Sequence, residues 1–382
     1  MRERFPGIDP EWARFDGPAG TQMVDSAINA MADFLRSGAN ANGHGHFAAS
    51  AASTGVVADA RHCVGQLLGA DPDGIVFGAN MTTLNFALTR ALARDWSADD
   101  EIVGTRLDHD ANVTPWRMAA EERGAVVRLA EFDAETGRLD PDAVAALLGP
   151  RTRWVAVTGA SNALGTMPDL TPIVAAAHAA GARVLIDGVH LVPHEPVDLA
   201  ALGCDAFLTS PYKWYGPHAG VLWLAPDLRD SLPAYKVRPA PDTGPERWET
   251  GTPSFEAIAA IRAAAAFLLD TGFDAIRRHE TALLRSLLNG LLEMDHATVH
   301  GPHDLSSRTP TVCFSVTGRH PDDVAAELAT RQIAVWSGNY YAVETMGALG
   351  LTDGGAIRAG ISCYTSEADV ARLVTAVRAL RG

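Results

Sequence analysis

The chain of 382 residues is predicted to be an α/β protein with a large domain built on a mainly parallel sheet and a smaller α/β domain following it. Three observations carry this reading. Apolar, β-branched runs (AVVRLAEF, RWVAVTGASNALGT, ARVLIDGV) alternate with helical stretches such as LTPIVAAAHAAG. Their connections are short, which suits a sheet covered on both faces. Polar residues (His109, Asn162, Asp187 and Ser210) fall at the carboxyl ends of the strands, where open parallel sheets bind ligands.

The elements follow in order. Residues 1–20 are rich in Pro and Gly and read as an extended N-terminal arm. Apolar residues at helical spacing predict a first helix over 22–35, and a second over 56–68. Between them, the polar Gly-rich segment 39–50 is a loop, solvated or facing substrate, with Asn42 a candidate substrate contact. His44 and His46 in that loop have no third ligand nearby, so no metal is assigned. DGIVFGANMTTLNFALTRALARDW predicts a strand, a turn and an amphipathic helix opening at Asn80, Met81 and Thr82. Free N–H groups at such a helix start suit a phosphate, although a plain N-cap by Asn80 or Thr82 would also explain the residues. EIVGTRLDHDANVTPW reads as a strand ending in His109.

Three short buried strands are expected between Val184 and Leu224, with Asp187, His190 and Lys213 at their ends. Five prolines between Leu232 and Phe255 mark an irregular stretch. Helices are then expected over 256–270 and 273–294, the second crossing into the smaller domain. TVCFSVTG, QIAVWSG and AIRAGISCY complete that domain as strands. The predicted division is an arm (1–20), a large domain (21–270) and a small domain (271–382) joined by the N-terminal segment.

A net charge of -15 argues against nucleic acid or an anionic membrane surface as partner. The four cysteines show no CxxC or metal-ligand spacing and read as reduced thiols of a cytoplasmic protein. No signal-peptide apolar region and no run of membrane-spanning length is expected.

Asp187 and Lys213 are both expected in apolar surroundings, where each charge needs a partner. A buried ion pair would satisfy them. So would pyridoxal phosphate (PLP), whose aldehyde forms a Schiff base with a lysine and whose ring nitrogen is held protonated by a carboxylate. Lys213 and Lys236 are the only lysines in the chain.

SPYKWYGPH around Lys213, the Asp187–His190 segment, LDHDANVTPW, and FDGPAGTQ at Phe15 resemble the class V, fold-type I PLP enzymes. The resemblance is to the cysteine desulfurase and selenocysteine lyase group and spans nearly the whole chain. It implies Lys213 as the imine lysine and Asp187 as the acid at the pyridine nitrogen. His109 would stack on the ring and move protons, with His190 and Asn162 near the ring oxygen. Asn80, Met81, Thr82, Ser210 and Tyr212 would serve the cofactor and its phosphate, joined by Thr252 (in GTP, residues 251–253) from the neighbouring subunit of a homodimer. Arg358 would grip the substrate α-carboxylate; an internal salt bridge is the other way to satisfy a buried arginine.

The resemblance breaks in one loop. Where the group carries a sulfur-accepting cysteine (T-G-H-H-C-A), this chain has Ser337-Gly338-Asn339-Tyr340-Tyr341-Ala342, with no cysteine close in sequence. A phenol cannot carry a persulfide. The expected function is therefore PLP-dependent α-proton abstraction from an amino acid, with β-elimination of a C–S bond. Tyr340 or Tyr341 would act as acid or shape the side-chain pocket. Aminotransferase, epimerase or racemase, and β-/γ-replacement chemistry stand as alternatives. A non-catalytic PLP-fold binding protein is a further one, against which intact Lys213, Asp187 and Arg358 count.

Overall fold

The computed structural model describes residues 1–380. Its strands are β1 (Ala13–Arg14), β2 (Ile75–Gly78), β3 (Glu101–Thr105), β4 (Val126–Ala130), β5 (Thr152–Thr158), β6 (Arg183–Asp187), β7 (Ala206–Thr209), β8 (Gly220–Leu224), β9 (Ala297–His300), β10 (Thr311–Val316), β11 (Ile333–Ala334), β12 (Trp336–Gly338) and β13 (Ala356–Gly360).

Seven of them form one sheet in the order β2-β8-β7-β6-β5-β3-β4. β8 runs antiparallel to both its neighbours and the other pairs are parallel. Strand residues alternate between two buried faces. Val184 and Ile186 face the helices Asp25–Arg36, Ala48–Leu68 and Phe255–Thr271. Leu185, Leu208 and Leu222 face Met81–Leu92 and Thr114–Glu121. Each such aliphatic side chain, fully buried, contributes about 1.5–3 kcal/mol, so continuous apolar strands drive both layers onto the sheet.

A second sheet, β12-β13-β10-β9, is antiparallel throughout. It packs with the helices Phe273–Leu292 and Glu367–Arg378 through a separate apolar cluster in which Leu283, Leu287 and Leu291 recur along one helix face. Ser366 and Asp369 close a reciprocal cap at the start of the last helix.

Several expectations are revised. The first 20 residues are not simply extended: Arg2–Arg4 makes a 3-10 turn and β1 pairs in parallel with β11. Arg2 is also tied to Asp369. The helix expected over 56–68 starts at Ala48, because its alanine-rich first turns are helix-prone despite the Gly-rich loop before them. The strand expected to reach His109 ends at Thr105, where the Thr105 hydroxyl turns the chain by bonding Asp108. QIAVWSG divides into β11 and β12, which join different sheets. β13 ends at Gly360, so Cys363 lies in the turn beyond it. β1 and β9 were not anticipated; two to four residues of mixed polarity carry too little periodicity to show.

Candidate active site

The carboxyl ends of β5, β6 and β7 open toward the N-terminus of helix Met81–Leu92. The cavity there is lined by Lys213, Asp187, His109, His190, Asn162 and Ser210, together with Asn80, Met81, Thr82 and Tyr212. Residues as far apart in sequence as Asn80 and Lys213 are thus brought together by the strand order and the helix that follows β2. β8 passes close beneath: a Cβ on Gly220 would lie 2.4 Å from the Asn80 carbonyl carbon, so glycine lets the helix start sit down on the strand.

Lys213 follows β7 in a 3-10 turn. Part of its side chain faces open space, but the amine is enclosed, donating to the carbonyls of Pro18 and Ala19 (2.8 Å to the latter). Burial and the nearby Arg358 charge bring its pKa down to about 7, outweighing Asp187. Asp187 is buried, accepts the Val189 N–H at 2.9 Å and is raised to about 6, burial again being the main cause. The two charges share one cavity without forming a direct ion pair, which leaves each short of a partner.

His109 accepts the Ala111 N–H at Nδ1 (3.0 Å), so the neutral ring carries its proton on Nε2. Burial, helped by Lys213 and Arg358, holds its pKa at about 3. His190 is buried with Nε2 2.9 Å from the Thr311 hydroxyl, and burial lowers its pKa well below the usual value. Asn80 caps helix Met81–Leu92, accepting from Thr83 N at 2.8 Å. The capping explanation for Asn80 is therefore realised, and the N–H groups of Met81 and Thr82 remain outside the helix ladder. Tyr212 stacks on His218 at 5.1 Å.

A wider cleft continues outward from the same residues and reaches Arg358, Tyr340 and Tyr341. Arg358 is buried and pairs with no carboxylate among the described residues; it donates to the Asn162 carbonyl (2.9 Å) and lies 4.5 Å over the Tyr340 ring. Burial draws it down to about 10. Its Nε and the Asn162 Oδ1 are buried without partners. Tyr340 and Tyr341 both have positive φ (53° and 59°), an unusual backbone for aromatic residues. Asn162 Nδ2 donates to the Tyr340 carbonyl (2.9 Å) and Asp110 N to that of Tyr341 (2.6 Å), fixing the loop. The Tyr341 ring stacks on His109 at 5.6 Å.

Two candidates lie elsewhere in the chain. Thr252 is exposed and lines a separate cavity with Phe77 and Trp248. Asn42 is exposed in its loop and lines neither the Lys213 cavity nor the outer cleft. No cysteine is close to the Tyr340–Tyr341 loop in sequence, but strand pairing brings Cys313 opposite Arg358 across β10–β13. It is fully buried, and burial pushes its thiol up to about 12.

Sequence reasoning missed several groups. Pro18 and Ala19 were visible only as part of FDGPAGTQ, since a carbonyl acceptor leaves no residue-type signal. Thr311 supports His190 from the other sheet, a contact no local pattern shows. Asp108, beside His109 in LDHD, is a buried acid bonded to Thr105 and Asn112, and burial lifts it to about 8.

Residues 14–373 match the family described as Aminotransferase class-V. The chain belongs to the aminotransferase class-V family. Within it, the chain is 32% identical over 402 residues to a cysteine desulfurase of Enterobacter sp. (strain 638), covering 99% of this chain and 97% of the relative. A cysteine desulfurase from Thermococcus onnurineus NA1, solved without ligand, superposes with a TM-score of 0.94 at 27% identity, covering 99% and 96% of the two chains. A cystine C–S lyase, solved with its product cysteine persulfide, has a TM-score of 0.85 at 21% identity over 98% and 99%, which shows a shared fold.

This class-V chain is a PLP-dependent enzyme of the cysteine desulfurase-like group. Its residues fit the cofactor. The cavity offers an amine near neutrality, a buried carboxylate lacking a cation, and a helix N-terminus with free N–H groups. The unpartnered Asn162 Oδ1 and Arg358 Nε leave polar valence for what binds there.

Proposed function

We propose that the enzyme is a PLP-dependent C–S β-lyase that releases sulfur without passing it to a thiol of its own. The observation that carries this is the site's sulfur inventory. Tyr340 and Tyr341 occupy the loop facing Lys213 and Arg358, and the one thiol nearby, Cys313, is sealed and held neutral.

When bound, PLP supplies an aldehyde for the substrate amine and a pyridine ring that takes up the charge left at Cα. In this reading Asp187 holds a proton at the ring nitrogen. The start of helix Met81–Leu92, with Ser210, holds the phosphate. Neutral His109 would lie against the cofactor ring, and the Arg358 guanidinium would hold the substrate α-carboxylate. Lys213 Nζ, uncharged above about pH 7, takes the α-proton, and the leaving sulfur takes up a proton as it departs.

The same reading makes the protein a cytoplasmic homodimer, with 21–270 the cofactor domain and 271–382, joined by the arm, the smaller one. The exposed Thr252, away from Lys213 of its own chain, supports its service to a neighbouring subunit. The four cysteines are unpaired, as suits a reducing compartment.

Product analysis tests the chemistry. Elimination from cysteine yields sulfide, pyruvate and ammonium, whereas desulfuration through a protein persulfide yields alanine. Pyruvate should dominate and persist when all four cysteines are replaced by serine or alanine. Alanine formation that disappears with Cys313→Ala would sink the reading.

A further inference from the structure

The small sheet carries a row of side chains directed at the site. Trp336 pairs in register with Arg358, and Arg358 with Cys313, so all three stand on one face of β12-β13-β10. Along the row, exposure rises from 0% at Cys313 through 4% at Arg358 to 51% at Trp336. The innermost member packs and the middle one faces the cleft. The outermost leaves an indole in the open beside the guanidinium.

Tyr341 lines the same cleft as Trp336 and Arg358 and is 72% exposed, yet its ring and backbone are both held. One ring face stacks on His109 with 25° between the planes, and its carbonyl is held by Asp110 N. Phe86 and Pro115 add apolar surface to the cleft lining. The cleft measures about 1070 Å³, a volume that includes the space beside the cofactor residues Asn80, Thr82 and Lys213 as well as the outer part toward Trp336. Cysteine would occupy a small part of it. Among the described residues lining the cleft, Lys213 and Arg358 are the only cations, while Asp110 and Asp322 add carboxylates. Beyond Lys213 and Arg358, the described residues of this chain offer the cleft no cation for a second anionic group on the substrate.

We propose that the substrate is an S-substituted cysteine whose sulfur bears a bulky, flat, uncharged group, received between Trp336 and Tyr341. The proposal rests on the C–S lyase reading and adds to it the class of leaving group. The reaction balances without an oxidant. The α-proton leaves to Lys213 Nζ, the Cβ–S bond breaks with its electron pair on sulfur, and sulfur takes a proton. With one water the net products are the thiol, pyruvate and ammonium. A leaving thiol of this kind departs in solution and requires no acceptor thiol on the protein.

The holoenzyme is assayed with S-benzyl-cysteine, S-methyl-cysteine and cysteine for thiol and pyruvate. Calorimetry with 2-amino-4-phenylbutanoate, which keeps the ring but has no C–S bond to break, reads binding separately. The expected result is a kcat/KM for S-benzyl-cysteine about tenfold or more above that for S-methyl-cysteine. In Trp336→Ala and Tyr341→Gly that ratio falls toward one, and the phenyl analogue loses a comparable factor in affinity. Glycine suits the positive φ at 341, so the second variant keeps the loop intact. Elimination without size preference, or a preference unchanged in both variants, overturns this proposal and leaves the lyase reading standing. Absence of elimination from all three amino acids overturns both. Dissociation of a dimer in Trp336→Ala, with size preference intact, assigns the indole to subunit contact and overturns the proposal.

Discussion

Lys213 is the residue on which burial and charge compete most plainly. Enclosure and Arg358 favour the neutral amine, while Asp187 and the two carbonyls of the arm favour the ammonium. The uncharged form attacks an aldehyde, so the rate of PLP uptake by apoenzyme should rise with pH through a midpoint near 7. A rate flat from pH 6 to 8.5, followed at the cofactor's absorbance band, would contradict that. Lys213→Ala should abolish the band. Asp108 is shifted in the opposite direction. Its folded pKa of about 8 exceeds that of an unfolded aspartate, so the native state binds the extra proton between roughly pH 4 and 8. The stability it contributes is present at low pH and lost as pH rises through about 8. Asp108→Asn keeps both hydrogen bonds without that proton, and the fall in Tm between pH 4 and 8 should flatten.

At the scale of elements, the N-terminal arm and the start of helix Met81–Leu92 matter most. The arm reaches the site because Gly360 admits it: a Cβ there would lie 2.0 Å from the Pro18 ring. Gly360→Ala should cost about 1–3 kcal/mol of stability by overpacking, seen as a lower urea midpoint. Displacing the Pro18 and Ala19 carbonyls removes acceptors that favour the ammonium, so the pH midpoint for cofactor uptake should also fall. Asn80→Ala removes a helix cap worth about 1 kcal/mol and should weaken PLP retention measured by dialysis. The cap was legible in GANMTT, because N-caps are local and residue-specific. The arm's docking was not, since β1 is two residues long and its partner β11 lies over 300 positions away.

Over the whole molecule, alternation and strand-end polarity made the large sheet and its cavity readable, for both depend on patterns of a few residues. Cys313 shows the limit: its place beside Arg358 follows from strand pairing across a long interval. Thr252 and Asn42 fall outside the Lys213 cavity of their own chain, and a dimer would give them a destination. Hybrids of Lys213→Ala and Thr252→Ala subunits should then recover one intact site, measured as activity above that of either parent. Recovery absent in hybrids verified by mass would place Thr252 outside the site.

The enclosed amine of Lys213 also has a practical side. Only one other side chain in the protein bears a primary amine, and Lys236 is engaged by Asp242 at the surface. Borohydride added to the loaded enzyme should therefore mark a single peptide, which can be found by mass with little background. Amine-reactive dyes, conversely, have almost nowhere on this surface to attach.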